Sequence, residues 1–98
     1  MFRAAPGRRL RALDAQRVDV RKQAARAADD RVLPGAIWLD PFELDHEHPV
    51  LAGDGKLVFF CVAGHEVSQF ACALARLHGR EAFYVEGGFD ALARKVGL

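Results

Sequence analysis

The sequence predicts an α/β fold with a largely parallel sheet, and three observations carry that reading. Leu57 to Phe60 is a continuous apolar run of strand length, the pattern of a strand buried on both faces. Strand-like and helix-like segments alternate along the chain, as βαβ units require. The 98 residues, 51% hydrophobic and 28% charged, are enough for one apolar core without disulfides or metals and too few for two. A single domain over residues 1–98 is the expectation.

Taken in order, residues 1–15 show weak periodicity. Leu10 and Leu13 are their large apolar pair at helical spacing, so a loosely attached N-terminal helix is expected there. Val18 and Val20 alternate with Asp19 and Arg21, which suits a short strand. Alanines and charges from Lys22 to Asp30 favour helix, and Pro34-Gly35 breaks the chain. Ala36 to Leu39 is a second strand, Pro41 opens a short helical turn, and Asp45 to Gly55 is a polar loop. After the Leu57–Phe60 strand, Val67, Phe70, Ala71, Leu74 and Leu77 recur at three- and four-residue steps. They predict an amphipathic helix that ends before Gly79. Ala82 to Val85 is a further strand, Gly87-Gly88 a turn, and Phe89 to Val96 a closing helix with Phe89, Leu92 and Val96 on one face.

The net charge of +1 argues against nucleic acid as a partner, and the chain has no apolar span of membrane-crossing length. Charge is nevertheless uneven, with nine basic residues against four acids through Arg31 and an acidic stretch from Asp40 to Asp54. The N-terminal Arg/Ala bias continues through Arg76, Arg80 and Arg94, so it reads as a property of the whole chain and not as a targeting leader. Two cysteines, Cys61 and Cys72, are too few for a disulfide scaffold, and a reducing cytoplasm is the expected compartment.

Cys61 stands where the apolar strand ends. In open α/β sheets ligands bind beyond the carboxyl ends of the strands, so the position is a candidate site before its chemistry is considered. The loop that follows runs into a helix whose first N–H groups lack intrahelical partners and carry the positive end of the dipole. A thiolate there is stabilised, which makes Cys61 the candidate nucleophile. Ala63 and Gly64 let the backbone curl so that several N–H groups point inward, as in an anion-binding nest. Cys72, inside the helix, reads as core.

His65 has the chemistry to bond an anion or to move a proton, but a lone loop histidine more often faces solvent, and that is the expectation here. Glu66 works against the thiolate: a carboxylate about 6 Å away opposes it by a few kcal/mol at an effective dielectric near 20. A helix terminus supplies only ~0.3–2 kcal/mol. Glu66 is therefore expected to point away from the sulfur or to be neutralised by an arginine. Asp45-His46-Glu47-His48 has ligand-type residues, but adjacent positions alone make a poor metal cage, and a solvated loop is expected.

Four segments in order resemble the rhodanese-like domain, the single-domain sulfurtransferase type. They are Val18-Asp19-Val20-Arg21, Pro34-Gly35-Ala36, the loop Cys61-Val62-Ala63-Gly64-His65-Glu66, and Glu86-Gly87-Gly88-Phe89. The resemblance implies a mostly parallel five-stranded sheet flanked by helices on both faces. It also implies a cysteine, Cys61, that takes sulfane sulfur as a persulfide from thiosulfate or a donor persulfide and passes it to a thiol or cyanide. The substrate-binding loop would run from Val62 through Ala63, Gly64, His65 and Glu66 to Val67. No metal or organic cofactor is implied, and the partners would be a small sulfur-containing anion or persulfide and a thiol acceptor protein.

The chain departs from the family in carrying no Lys or Arg between Val62 and Gln69, and Leu92 stands where tryptophan is frequent. The first departure weakens thiosulfate as donor. Arg21 and Arg26 are the nearest candidates for the missing anion-binding charge, and Arg21 serves equally well as a structural partner for an acid. The competing reading is a regulatory or redox-sensing module on the same fold. A phosphatase of related fold is a third, disfavoured because its loop would end in a phosphate-gripping arginine.

Overall fold

The apolar run Leu57–Phe60 forms strand β3, buried at every position. A computed structural model describes residues 15–53, 55–62 and 66–97. In it β3 lies between β1 (Gln16–Asp19) and β4 (Ala82–Tyr84), and β2 (Ala36–Trp38) pairs with the other side of β1. All three pairings are parallel. Parallel neighbours need crossovers. Helix α1 (Gln23–Ala28) lies between β1 and β2, α2 (Glu66–Leu77) connects β3 to β4, and α3 (Gly88–Val96) follows β4.

The described residues hold four strands, not the five implied by the resemblance. Each of the four is one that the residues themselves announce. The described stretch between β2 and β3 contributes two 3₁₀ turns instead, Pro41–Glu43 and Pro49–Leu51. Each turn has proline at its first position, where a missing N–H costs nothing, and a side chain that caps it. Asp40 Oδ1 accepts from Phe42 N at 3.0 Å, and His48 Nδ1 accepts from Val50 N at 3.1 Å. The predicted N-terminal helix with Leu10 and Leu13 lies outside the described residues.

Successive residues of a strand face opposite ways, and β3 feeds two apolar clusters accordingly. Leu57, Phe59 and Cys61 pack with Ala71, Cys72, Leu74 and Ala75 of α2. Val58 and Phe60 pack with Phe89, Leu92 and Ala93 of α3. The buried face of α2 differs from the predicted one. Ser68, Ala71, Cys72, Leu74 and Ala75 are inside, whereas Phe70 and Leu77 are 56% and 78% exposed. Four small residues let the helix lie close to the sheet, and that close packing outweighs the larger apolar side chains left on its outer side.

The end of β1 is braced by a buried ion pair. Arg21, 2% exposed, donates from Nε to both carboxylate oxygens of Asp19 at 3.1 Å and from Nη2 to Oδ2 at 2.8 Å. Its remaining bonds reach the carbonyls of Asp29 at 3.2 Å and Arg31 at 2.9 Å, tying the end of α1 to the sheet. The guanidinium also lies 3.8 Å above the Phe89 ring. A second arginine, Arg80, holds the loop before β3 through the carbonyls of Val50, Ala52 and Gly55 at 2.7–2.9 Å.

Candidate active site

Register brings two strand ends together. Asp19 pairs with Phe60, and Val20 N donates to Phe60 O at 2.9 Å, so Val20, Arg21 and Lys22 leave β1 beside Cys61 and Val62 leaving β3. The turn into α3 fixes Cys61 from the other side, because Phe89 N donates to Cys61 O at 2.6 Å. That turn depends on Gly87, at φ 80°, where an added Cβ would come within 2.8 Å of Ala91 Cβ.

The Cys61 side chain is 7% exposed, and its Sγ lies 3.4 Å from Ser68 Oγ in the first turn of α2. The sulfur thus sits at the positive end of that helix. It also borders an open pocket of about 440 Å³. Among the described residues the lining comes from Val20, Arg21 and Lys22 after β1, Ala25 of α1, Cys61 and Val62 after β3, and Glu66 and Val67 of α2.

Five residues named from sequence therefore share one pocket: Arg21, Cys61, Val62, Glu66 and Val67. Ala63, Gly64 and His65, the centre of the predicted anion cradle, lie outside the described residues. Glu66, exposed, is among the residues that line the pocket. Arg21 lines it too, but its guanidinium is engaged by Asp19 and two carbonyls, which is the structural role weighed beside anion binding. Arg26 is not in the lining; its Nε stands 3.7 Å from Asp19 Oδ2 and its guanidinium 5.1 Å from the Trp38 ring centroid.

Sequence reading missed two residues. Lys22 is the exposed cation of the pocket, and the signal was its place directly after the strand that pairs with β3. Ser68 was legible as a small polar residue in helical step with Ala71, Cys72 and Ala75. In the acidic loop Asp45 Oδ1 accepts from Glu47 N at 3.0 Å, and His46 Nδ1 meets Nε2 of the distant His78 at 3.0 Å.

The two thiols differ in environment. Cys72 is fully buried, and burial pushes its thiol up in pKa, with the Arg76 charge opposing in part. A brief treatment with iodoacetamide at neutral pH is expected to add one carbamidomethyl group, at Cys61, with Cys72 labelled only after denaturation. Peptide mass mapping checks the assignment, and labelling of Cys72 first would overturn it.

The residues 7–95 match the model of the rhodanese-like domain. Among solved structures, a rhodanese homologue from Thermus thermophilus is 28% identical with a TM-score of 0.71, over 92% of this chain and 99% of that one. A protein of unknown function from Rhodopseudomonas palustris, titled a possible tyrosine phosphatase, is also 28% identical, with a TM-score of 0.67 over 91% of this chain and 72% of its own. The thiosulfate sulfurtransferase of Pseudomonas aeruginosa, at 24% identity and a TM-score of 0.73, shares the fold over 98% of this chain and 18% of its own. No curated protein matches the sequence. A cysteine at the carboxyl end of a central parallel strand, the strand exit Asp19-Val20-Arg21 (DVR) paired beside it, the Glu86-Gly87-Gly88 turn whose next residue bonds its carbonyl, and the match over residues 7–95 lead to one assignment: the chain belongs to the rhodanese-like domain family.

Proposed function

We propose that the protein is a sulfurtransferase that carries sulfane sulfur as a persulfide on Cys61. The observation that carries this reading is the placement of Cys61 Sγ, beside the first turn of α2 and on an open pocket at the end of β3. The Cys61 thiolate attacks the outer sulfur of thiosulfate or of a persulfide. A new S–S bond forms, the donor's S–S bond breaks, and sulfite or a thiolate leaves with the electron pair. A thiol or cyanide then attacks the outer sulfur of the Cys61 persulfide and returns the thiolate. Ser68 Oγ, 3.4 Å from Sγ, is the hydroxyl beside the sulfur. Lys22 supplies positive charge for an anionic donor.

The regulatory reading draws on the absence of Lys and Arg from Val62 to Gln69, which also disfavours a phosphatase. Among the described residues no helix is long and apolar enough to cross a membrane, and neither cysteine is in a disulfide. We place the activity in a reducing cytoplasm, with a thiol acceptor protein as a proposed partner.

Incubation with thiosulfate and, separately, with a low-molecular-weight persulfide is expected to add one sulfur to the intact mass, lost completely in Cys61→Ser. Absence of the adduct with both donors would sink the proposal and leave the regulatory module. An adduct from the persulfide alone would mark thiosulfate as a poor donor for this pocket.

A further inference from the structure

Phe42 and Phe70 are 80% and 56% exposed, and the core makes no use of their outer ring faces. The turn that presents Phe42 is shaped by Pro41 and the Asp40 cap, so the aromatic ring is not needed to form it. With Pro41 and Val67, the two rings wall a second cavity of about 210 Å³. That cavity shares Lys22, Glu66 and Val67 with the Cys61 pocket, so the two adjoin along these residues and are together called the trough. Lys22 stands at the junction, its Nζ 5.8 Å from the Phe42 ring centroid.

The trough is oversized for an inorganic donor. Thiosulfate has five heavy atoms and, at ~30 Å³ for each water-sized unit, fills roughly 150 Å³. The Cys61 pocket alone is about 440 Å³. Mostly apolar cavities of ~300–1,000 Å³ with a few polar groups are what organic ligands occupy. We infer that the sulfur donor is an organic sulfane-sulfur compound whose apolar body lies on Phe42 and Phe70, with its anionic group beside Lys22 and its terminal sulfur at Cys61. This inference rests on the reading of Cys61 as a persulfide carrier.

Organic thiosulfonates provide the probe, because they react by one balanced step: the Cys61 thiolate takes the terminal sulfur, the donor S–S bond breaks, and a sulfinate leaves with the electron pair. Benzenethiosulfonate and methanethiosulfonate have the same charge and differ in the body. Their kcat/KM ratio is measured for the wild type and for the Phe42→Ala, Phe70→Ala double variant, so that intrinsic donor reactivity cancels. The ratio is expected to fall about tenfold in the variant, while methanethiosulfonate stays within twofold. An unchanged ratio, or an equal loss with both donors, would overturn the role of the aromatic pair and leave the carrier reading intact. If neither thiosulfonate modifies a wild type that takes sulfur from thiosulfate or a low-molecular-weight persulfide, this inference fails and the carrier reading stands; if those donors leave no adduct either, both fail.

Discussion

Replacing Arg21 with methionine is expected to destabilise the domain by about 3–5 kcal/mol, the range for removing one partner of a buried ion pair. A domain of this size has about 5–15 kcal/mol in all, so the variant should lose a large share of its stability and, at the lower end of that range, be close to unfolding. The cause is Asp19, 4% exposed, whose carboxylate would lose the forked guanidinium and keep the backbone N–H of residue 21 at 2.9 Å and the 3.7 Å approach of Arg26 Nε. Arg21 also satisfies the carbonyls of Asp29 and Arg31 and covers Phe89, so one side chain ties the end of β1 to the end of α1 and the start of α3. Lysine cannot replace it, because a single ammonium does not reproduce the fork, and Arg21→Lys should retain little of the stability. Asp19→Asn combined with Arg21→Met should recover part of the loss, since no unpaired charge is then buried. Urea denaturation of the four proteins checks this. A midpoint for Arg21→Met matching the wild type would show that the pair contributes nothing.

Arg21 also shows where sequence reading stops. As a cation just past a strand near the nucleophile it reads as an anion binder, yet Asp19 lies two residues earlier, and residues i and i+2 of a strand share a face. The brace was legible in the DVR spacing; its burial was not, because burial depends on Phe89, which is 68 residues away in sequence. Lys22 was hidden for a related reason. A search for charge along the loop after Cys61 stays local in sequence, whereas the parallel register sets residues 20–22 against 61–62. Strand β3 and its cysteine were legible because four apolar residues and an abrupt end are local signals. The α2 face was misread because Phe70 and Leu77 dominate a periodicity count, while close packing on the sheet selects Ser68, Ala71 and Ala75. Phe70, left exposed on the outer side, then becomes part of the wall of the trough.

Neutralising Glu66 is expected to raise kcat/KM for thiosulfate about fivefold or more, and neutralising Lys22 to lower it by a similar factor. Both residues line the pocket that Cys61 borders, and both are exposed, so solvent screens them without removing their effect. A dianion about 7 Å from one unit charge feels about 1 kcal/mol even at the dielectric of water, which is a factor of about five. The donor's charge separates this from a change in shape. Methanethiosulfonate carries one charge where thiosulfate carries two, so on a logarithmic scale each substitution should act on it about half as strongly. Ionic strength gives the second control: both effects should shrink between low salt and 1 M, where the Debye length falls to about 3 Å. Equal responses from the two donors, or a response indifferent to salt, would mean that Glu66 and Lys22 shape the trough and do not set its potential. If the charge dependence holds, the pair decides the donor class: Glu66 penalises a compact dianion throughout, whereas an organic monoanion that extends toward Phe42 meets Lys22 and carries half the penalty.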